Sequence, residues 1–213
     1  MTAVFPFRSA RTLYWLASLF ESTGATAAGA PAEDEDSDAA DLARVAGGDE
    51  SALQHLFDKW KLPLQSFFYR SLGSNADAED LTLEVFVRLH RSAAGYRPVA
   101  KFSTYIFHIA HNLLRNELRR RRPKPVEPMA ADAFDYVEAE TDGAARRLIE
   151  LEEVFQHALE RLPEKYRTPL LLLQQQRMNY PEVAATLRMT ENALRVLVHR
   201  GRQLLKIEME TLS

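Results

Sequence analysis

Residues 179–203 read NYPEVAATLRMTENALRVLVHRGRQ, and this stretch decides the fold class. Asn179, followed three residues on by Glu182, is a capping pair that opens a short helix running to Leu187. A turn, Arg188-Met189-Thr190, leads into a longer helix from Glu191 to about Met209. Short helix, tight turn and longer helix make a helix-turn-helix, and the small Ala184 and Ala185 let the second helix cross closely. On a helical wheel Leu194, Leu197, Val198 and Gly201 group on one side; Glu191, Asn192, Arg195, His199, Arg202 and Gln203 group on the other. That outward face carries the donors that base edges and phosphates of a major groove require. Spacing alone also allows a surface helix with ordinary solvated charges.

Working back from this motif, Leu148, Leu151, Val154, Phe155, Ala158, Leu159 and Leu162 recur at helical spacing until Pro163, and a further helix runs from Tyr166 to Gln176. Residues 123–146 are rich in Pro, Ala and acids with little periodicity, and read as a linker. Before them lie three helical patterns. The first carries Leu42, Val45, Leu53, Leu56, Phe57 and Trp60, with a break at Gly47-Gly48, and continues through Phe67, Phe68 and Leu72 to Gly73. The second spans Asp77 to Arg91, with Leu81, Val85, Phe86 and Leu89 on one stripe. The third runs from about Ser103, with Ser103 or Thr104 as N-cap, to Arg122, and turns Ile106, Ile109, Ala110 and Leu113 inward. No strand-like alternation of useful length and no internal repeat is present. The expected architecture is all-α: two small helical domains, 41–122 and 147–213, joined by a flexible linker at 123–146, with 1–40 a poorly ordered extension.

The net charge of −3 is segregated along the chain. Residues 1–41 carry −5, 42–122 carry +5, 123–146 carry −4 and 147–213 carry +1. A mildly acidic whole therefore leaves room for a basic face that binds nucleic acid. There are no cysteines, which removes disulfides and thiolate metal sites and fits a reducing, cytoplasmic setting. No run approaches the roughly 20 apolar residues of a membrane span. Leu13 to Phe20, preceded by Arg8 and Arg11, superficially resembles a signal peptide, but its apolar core is short and aromatic, so a weakly structured extension is expected. The acidic run Glu33 to Asp38 reads as a solvated linker.

Two faces in the first block stand out. His108, Asn112, Arg115 and Arg119 share one side of the third helix, flanked by Asn116 and Arg120, with Tyr105 and Phe107 one turn earlier. Cations that track phosphate, rings that stack on unpaired bases and amides that read base edges suit single-stranded DNA. The alternative is core aromatics plus a solvated basic helix end favoured by the helix dipole. The second helix sets Glu79, Asp80 and Glu84 beside apolar residues, an acidic-apolar surface suited to a basic protein partner. His108 and His111 lack a third ligand at matching spacing, so no metal and no cofactor is expected. No nucleophile elbow, phosphate loop or dinucleotide turn appears, so no catalytic residue and no enzyme is expected.

These segments resemble, in order, the sigma-70 family of RNA polymerase sigma factors, in its small extracytoplasmic-function (ECF, group IV) subfamily. Asp77 to Leu89 (DAEDLTLEVFVRL) resembles region 2.2, and Phe102 to Asn116 (FSTYIFHIAHNLLRN) resembles regions 2.3 and 2.4. Ala158 to Arg167 (ALERLPEKYR) is similar to the start of region 4, and Tyr180 to Arg202 to its helix-turn-helix. The resemblance implies a factor that binds core RNA polymerase and directs promoter recognition, melting and transcription initiation. It implies docking on polymerase through Asp80, Leu81, Glu84, Val85, Phe86 and Leu89. It implies a downstream element, near −10, held by Tyr105, His108, Asn112, Arg115, Asn116, Arg119 and Arg120. It implies an upstream element, near −35, read as duplex by Thr190, Glu191, Asn192, Arg195, His199, Arg200 and Arg202. An anti-sigma factor is the implied regulator; Thr82, beside Asp80 and Glu84, is a weaker alternative control point through phosphorylation. Tyr105 stands where the family often has tryptophan, His108 where it often has arginine and Arg188 where the turn often has glycine. Val196 and Leu197 replace a common polar-basic pair. The rival function is a helix-turn-helix regulator that binds DNA without stoichiometric polymerase, which leaves the acidic-apolar helix without a purpose.

Overall fold

In the computed structural model, residues 33–121, 143–174 and 178–212 are described. They form helices α1 (Glu33–Ala46), α2 (Glu50–Leu72), α3 (Asn75–Ser92), α4 (Phe102–Arg121), α5 (Gly143–Arg161), α6 (Glu164–Gln174), α7 (Tyr180–Leu187) and α8 (Glu191–Leu212), with one 3-10 turn at Ala93–Gly95. The described residues contain no strand, and the all-α class stands.

The helix boundaries follow from local chemistry. Asp49 caps α2 by accepting from the backbone N–H groups of Ser51 and Ala52. Gly73 ends it at φ 72°, a left-handed conformation that glycine adopts without a Cβ penalty, and returns its N–H to the Tyr69 carbonyl. Ser74 at once caps α3 through the Asp77 N–H. Asn179 and Glu182 form the full capping box at α7. The turn after α7 is made by Arg188 at φ 55°, ψ 49°, where its N–H reaches the Ala184 and Ala185 carbonyls. A non-glycine residue therefore bears the left-handed turn, at a conformational cost of about 1 kcal/mol.

Three expectations are corrected. Glu33 to Asp38 belongs to α1, and Asp38 is fully buried, accepting from Lys59 Nζ at 2.7 Å and Trp60 Nε1 at 3.2 Å. A carboxylate with two such partners pins α1 to α2, which is how an acidic run becomes helix and not a solvated linker. Ser103 and Thr104 lie inside α4 and are buried, so neither is its N-cap. Helix α5 begins at Gly143, inside the stretch read as linker; residues 1–32 and 122–142 lie outside the described residues.

Helices α1 to α4 close around Leu42, Leu56, Leu64, Phe67, Phe68, Val85, Leu89, Phe102, Ile106, Phe107 and Leu114, with Phe67 and Phe107 edge to face at 5.6 Å. Helices α5 to α8 close around Phe155, Leu159, Leu170, Leu172, Val183, Leu194, Val198 and Leu205. Gly201 sits where α8 crosses α6: a Cβ there would meet Leu170 Cδ1 at 3.1 Å and the Tyr166 carbonyl oxygen at 3.3 Å. The two bundles also pack on one another. Arg167 Nη1 donates to the Ser71 carbonyl at 2.7 Å, Gln156 Nε2 donates to the Tyr69 carbonyl at 3.4 Å, and Arg70 pairs with Glu152. Both acceptors lie in the last turn of α2; the Tyr69 carbonyl already takes the Gly73 N–H, and Arg167 supplies the donor that the Ser71 carbonyl lacks within its own helix.

The Asp38 pocket yields a test. Replacing Asp38 by Ala removes two hydrogen bonds to a buried charge, and we expect it to lower unfolding free energy by about 2–3 kcal/mol. Urea melts monitored by Trp60 fluorescence read the change.

Candidate nucleic-acid interface

Helix α4 carries the first predicted face. Phe102, Phe107, Ala110, Leu113 and Leu114 are buried, so Phe107 is a core residue and not an exposed stacking ring. Tyr105 is half-buried: its ring lies 4.8 Å from that of Tyr96, and its hydroxyl shares a 2.7 Å hydrogen bond with Ser92 Oγ. Arg115, Asn116, Arg119 and Arg120 are exposed. Glu117 accepts from both Arg120, at 2.7 and 2.8 Å, and Arg121, at 2.7 Å; these bonds, Arg120's first, hold its carboxyl down at about 2. Arg121 also pairs with Asp77 of α3. Part of the terminal arginine run is thus held by carboxylates, while Arg115 and Arg119 present theirs to solvent.

His108, a central member of that face, lies against the second bundle, and Asn112 lies beside it on α4. The His108 Nδ1 is 2.9 Å from the Thr186 carbonyl, and the Asn112 amide nitrogen is 3.1 Å from His108 Nε2. A carbonyl can only accept, so His108 Nδ1 donates to Thr186 across the seam. Lys101 Nζ reaches Glu182 Oε1 at 2.9 Å across the same seam. Helix α7 therefore covers the middle of the α4 face, and α4 keeps its C-terminal arginines open. Sequence reasoning missed this covering entirely, because the contacts join residues far apart in the chain.

Helix α8 carries the second face. Glu191, Asn192, Arg195, His199 and Arg200 are exposed, whereas Leu194, Val198 and Gly201 are buried. The guanidinium of Arg195 lies over the Tyr180 ring at 4.5 Å and within 3.8 Å of Glu191 Oε2. Thr190 Oγ1 accepts from the Ala193 N–H at 3.3 Å, so this hydroxyl serves as the cap of α8. Arg202 is half-buried, and its Nε is enclosed without a hydrogen-bond partner.

On α3 the predicted docking residues divide. Val85, Phe86 and Leu89 are buried and pack into the core. Leu81 and Glu84 are half-buried and Asp80 is exposed. The apolar side chains that α3 leaves open are Leu83, 54% exposed, and Val87, 40% exposed, which line a groove with Leu53, Phe86, His90 and Arg91. Thr82 is buried, and its hydroxyl donates to the Ala78 carbonyl at 2.7 Å, so it offers no oxygen for phosphorylation. Among the described residues no group of three His, Asp or Glu is placed to hold a metal ion. Nor is any of their helices long and apolar enough to cross a membrane.

Comparison with known proteins matches these two bundles separately. The family model for Sigma-70 region 2 matches residues 56–124, and that for Sigma-70, region 4 matches residues 152–205. The chain belongs to the sigma-70 family. It is an extracytoplasmic-function member, similar to two such curated sigma factors. ECF RNA polymerase sigma factor SigW of Bacillus subtilis is 27% identical over 179 residues, spanning 80% of this chain and 96% of the relative. ECF RNA polymerase sigma factor SigE of Mycolicibacterium smegmatis is 33% identical over 168 residues, spanning 78% and 63%. Among solved structures, CnrH in complex with the cytosolic domain of CnrY shares the fold at a TM-score of 0.62 and 22% identity, over 83% of this chain and 99% of that one. In this sigma factor the region 2 match runs from within α2 to just past α4, and the region 4 match from within α5 to within α8.

The seam also contains His111, whose imidazole is pushed down to about 4 from 6.5 by burial first and by the nearby Arg115 and His108 second. Glu164 lies 4.0 Å away. A histidine whose folded pKa is depressed stabilises the fold fully above its unfolded pKa and loses that contribution as pH falls through the folded one. Stability is therefore expected to drop between pH 6.5 and 4, by about 2–3 kcal/mol from this group. His111→Gln should flatten that interval relative to the wild type in denaturant titrations at fixed pH.

Proposed function

We propose that this sigma factor works as a two-point promoter clamp: α3 seats it on core RNA polymerase, α4 holds the melted downstream element and α8 reads the upstream element as duplex. The observation that carries this is the pairing, in one chain, of two family-matched bundles that each turn out one basic-polar helix face, with a third, acidic-apolar face on α3. On α3 we assign docking to Asp80, Leu83, Glu84 and Val87, because these are the side chains a partner can reach. On α4 we assign strand binding to Tyr105, His108, Asn112, Arg115, Asn116, Arg119 and Arg120. On α8 we assign duplex reading to Asn192, Arg195, His199 and Arg200, with Glu191 beside them, Thr190 capping the helix and Arg202 at its flank. The proposed division is one bundle over α1 to α4 and a second over α5 to α8.

Geometry adds a requirement. Elements near −10 and −35 are separated by about 25 base pairs, or about 85 Å of duplex at 3.4 Å each. A compact chain of this length has a radius of gyration of about 17 Å and spans roughly 45 Å. The packed arrangement cannot reach both elements at once, and in it α7 holds His108 through the Thr186 carbonyl. We therefore propose that the bundles separate on polymerase. The covalent chain between Arg121 and Gly143 can span at most about 75 Å, and the two bundles make up the remaining distance. An anti-sigma factor that grips the Leu83–Val87 groove would compete for the same seat.

Two measurements test the reading. Leu83→Asp places a charge on the exposed groove without touching the core; we expect it to abolish co-purification with core polymerase and run-off transcription while melting like the wild type. Normal co-purification would overturn the assignment of docking to the Leu83–Val87 groove. The absence of cysteine permits clean labelling. With dyes on Ala40→Cys and Lys206→Cys, energy transfer should fall when core polymerase is added.

A further inference from the structure

Val196 is a large apolar side chain left 51% exposed on α8. Its helix buries Leu194, Val198, Gly201, Leu205 and Met209. At about 100° per residue, Val196 points almost directly away from the mean direction of those five. Asn192 one turn before it and His199 and Arg200 one turn after it are all exposed on the same outward side. Arg195, by contrast, is drawn to the flank, where Tyr180 and Glu191 hold it. The centre of the exposed face is therefore a valine ringed by polar residues.

A single exposed valine ordinarily needs no explanation. This one stands at the point of closest approach if α8 enters a major groove, and it has neither donor nor acceptor. The apolar group on a major-groove base edge is the 5-methyl of thymine. Against the guanine O6 or the cytosine amino group, valine would remove water from a polar atom and give it no partner. We propose that Val196 is a specificity-determining residue of the upstream element and selects thymine through its 5-methyl group. This rests on the reading of α8 as the duplex-reading helix.

The test removes one methyl group from the DNA and one apolar side chain from the protein. Full-length sigma factor with core polymerase is bound to promoter fragments in which each thymine of the upstream footprint is replaced singly by deoxyuridine. One replacement should weaken wild-type binding two- to fivefold, the size of burying a single methyl group. In Val196→Ser the same replacement should cost nothing, and the two DNAs should bind equally. Because Val196 is exposed, the variant should melt like the wild type. If Val196→Ser keeps the wild-type thymine-to-uracil penalty, or if no replacement matters to the wild type, the assignment is overturned. If Val196→Ser instead weakens capture of polymerase without DNA, the side chain is a protein contact and the assignment is again overturned. Failure of the underlying reading looks different: no upstream protection on unmodified DNA, with either protein.

Discussion

The arrangement of the whole molecule depends on how the C-terminus of α2 is satisfied. The final carbonyls of a helix lack partners, and that end carries partial negative charge. Here the cation that completes it comes from the other bundle: Arg167, buried, donates to the Ser71 carbonyl, and Gln156 reaches the Tyr69 carbonyl two residues earlier. Burial lowers the Arg167 pKa, and the charges of Glu160 and Glu164 oppose that fall. A guanidinium taken out of water is tolerable only with such partners, so the contact is specific as well as cohesive. Gly73 permits the approach, since a Cβ there would collide with the Glu160 carboxylate.

The same seam joins the two bundles through polar contacts. Its contacts include hydrogen bonds, ion pairs and the Arg70 guanidinium over the Phe155 ring at 5.3 Å. Interfaces of that kind between domains are more easily parted than the cores they join. A partner that binds one bundle more tightly when it is free can therefore shift the balance by its differential affinity alone. Helix α7 engages His108 through the Thr186 carbonyl, and Asn112 holds the other side of that ring.

Much of this was legible in the chain. Helical periodicity, the capping box at Asn179 and Glu182, and the glycine stop at Gly73 are local matters, each written within a few neighbouring residues. The left-handed turn at Arg188 was likewise visible as a departure from a glycine position. The exposed α8 face emerged correctly because a helix in a small bundle has one buried side and the wheel finds it. On α3 the strongest apolar stripe, with Val85, Phe86 and Leu89, marks the core, and Leu83 and Val87 lie exposed on the weaker stripe opposite. Tyr105 and Phe107 are consecutive in character but not in fate, since two positions along a helix turn a ring from half-buried to fully enclosed.

The sequence by itself determined the all-helical class, most helix limits, the sigma-70 kinship and the outward face of α8, because these follow from short-range periodicity, capping and residue type. Only the tertiary structure decided that Asp38 is buried, that Thr82 is closed to modification and that α7 lies over the middle of α4. Those facts depend on contacts between residues tens of positions apart, such as Ser71 with Arg167. No local pattern encodes which of several solvated polar groups will lose its water.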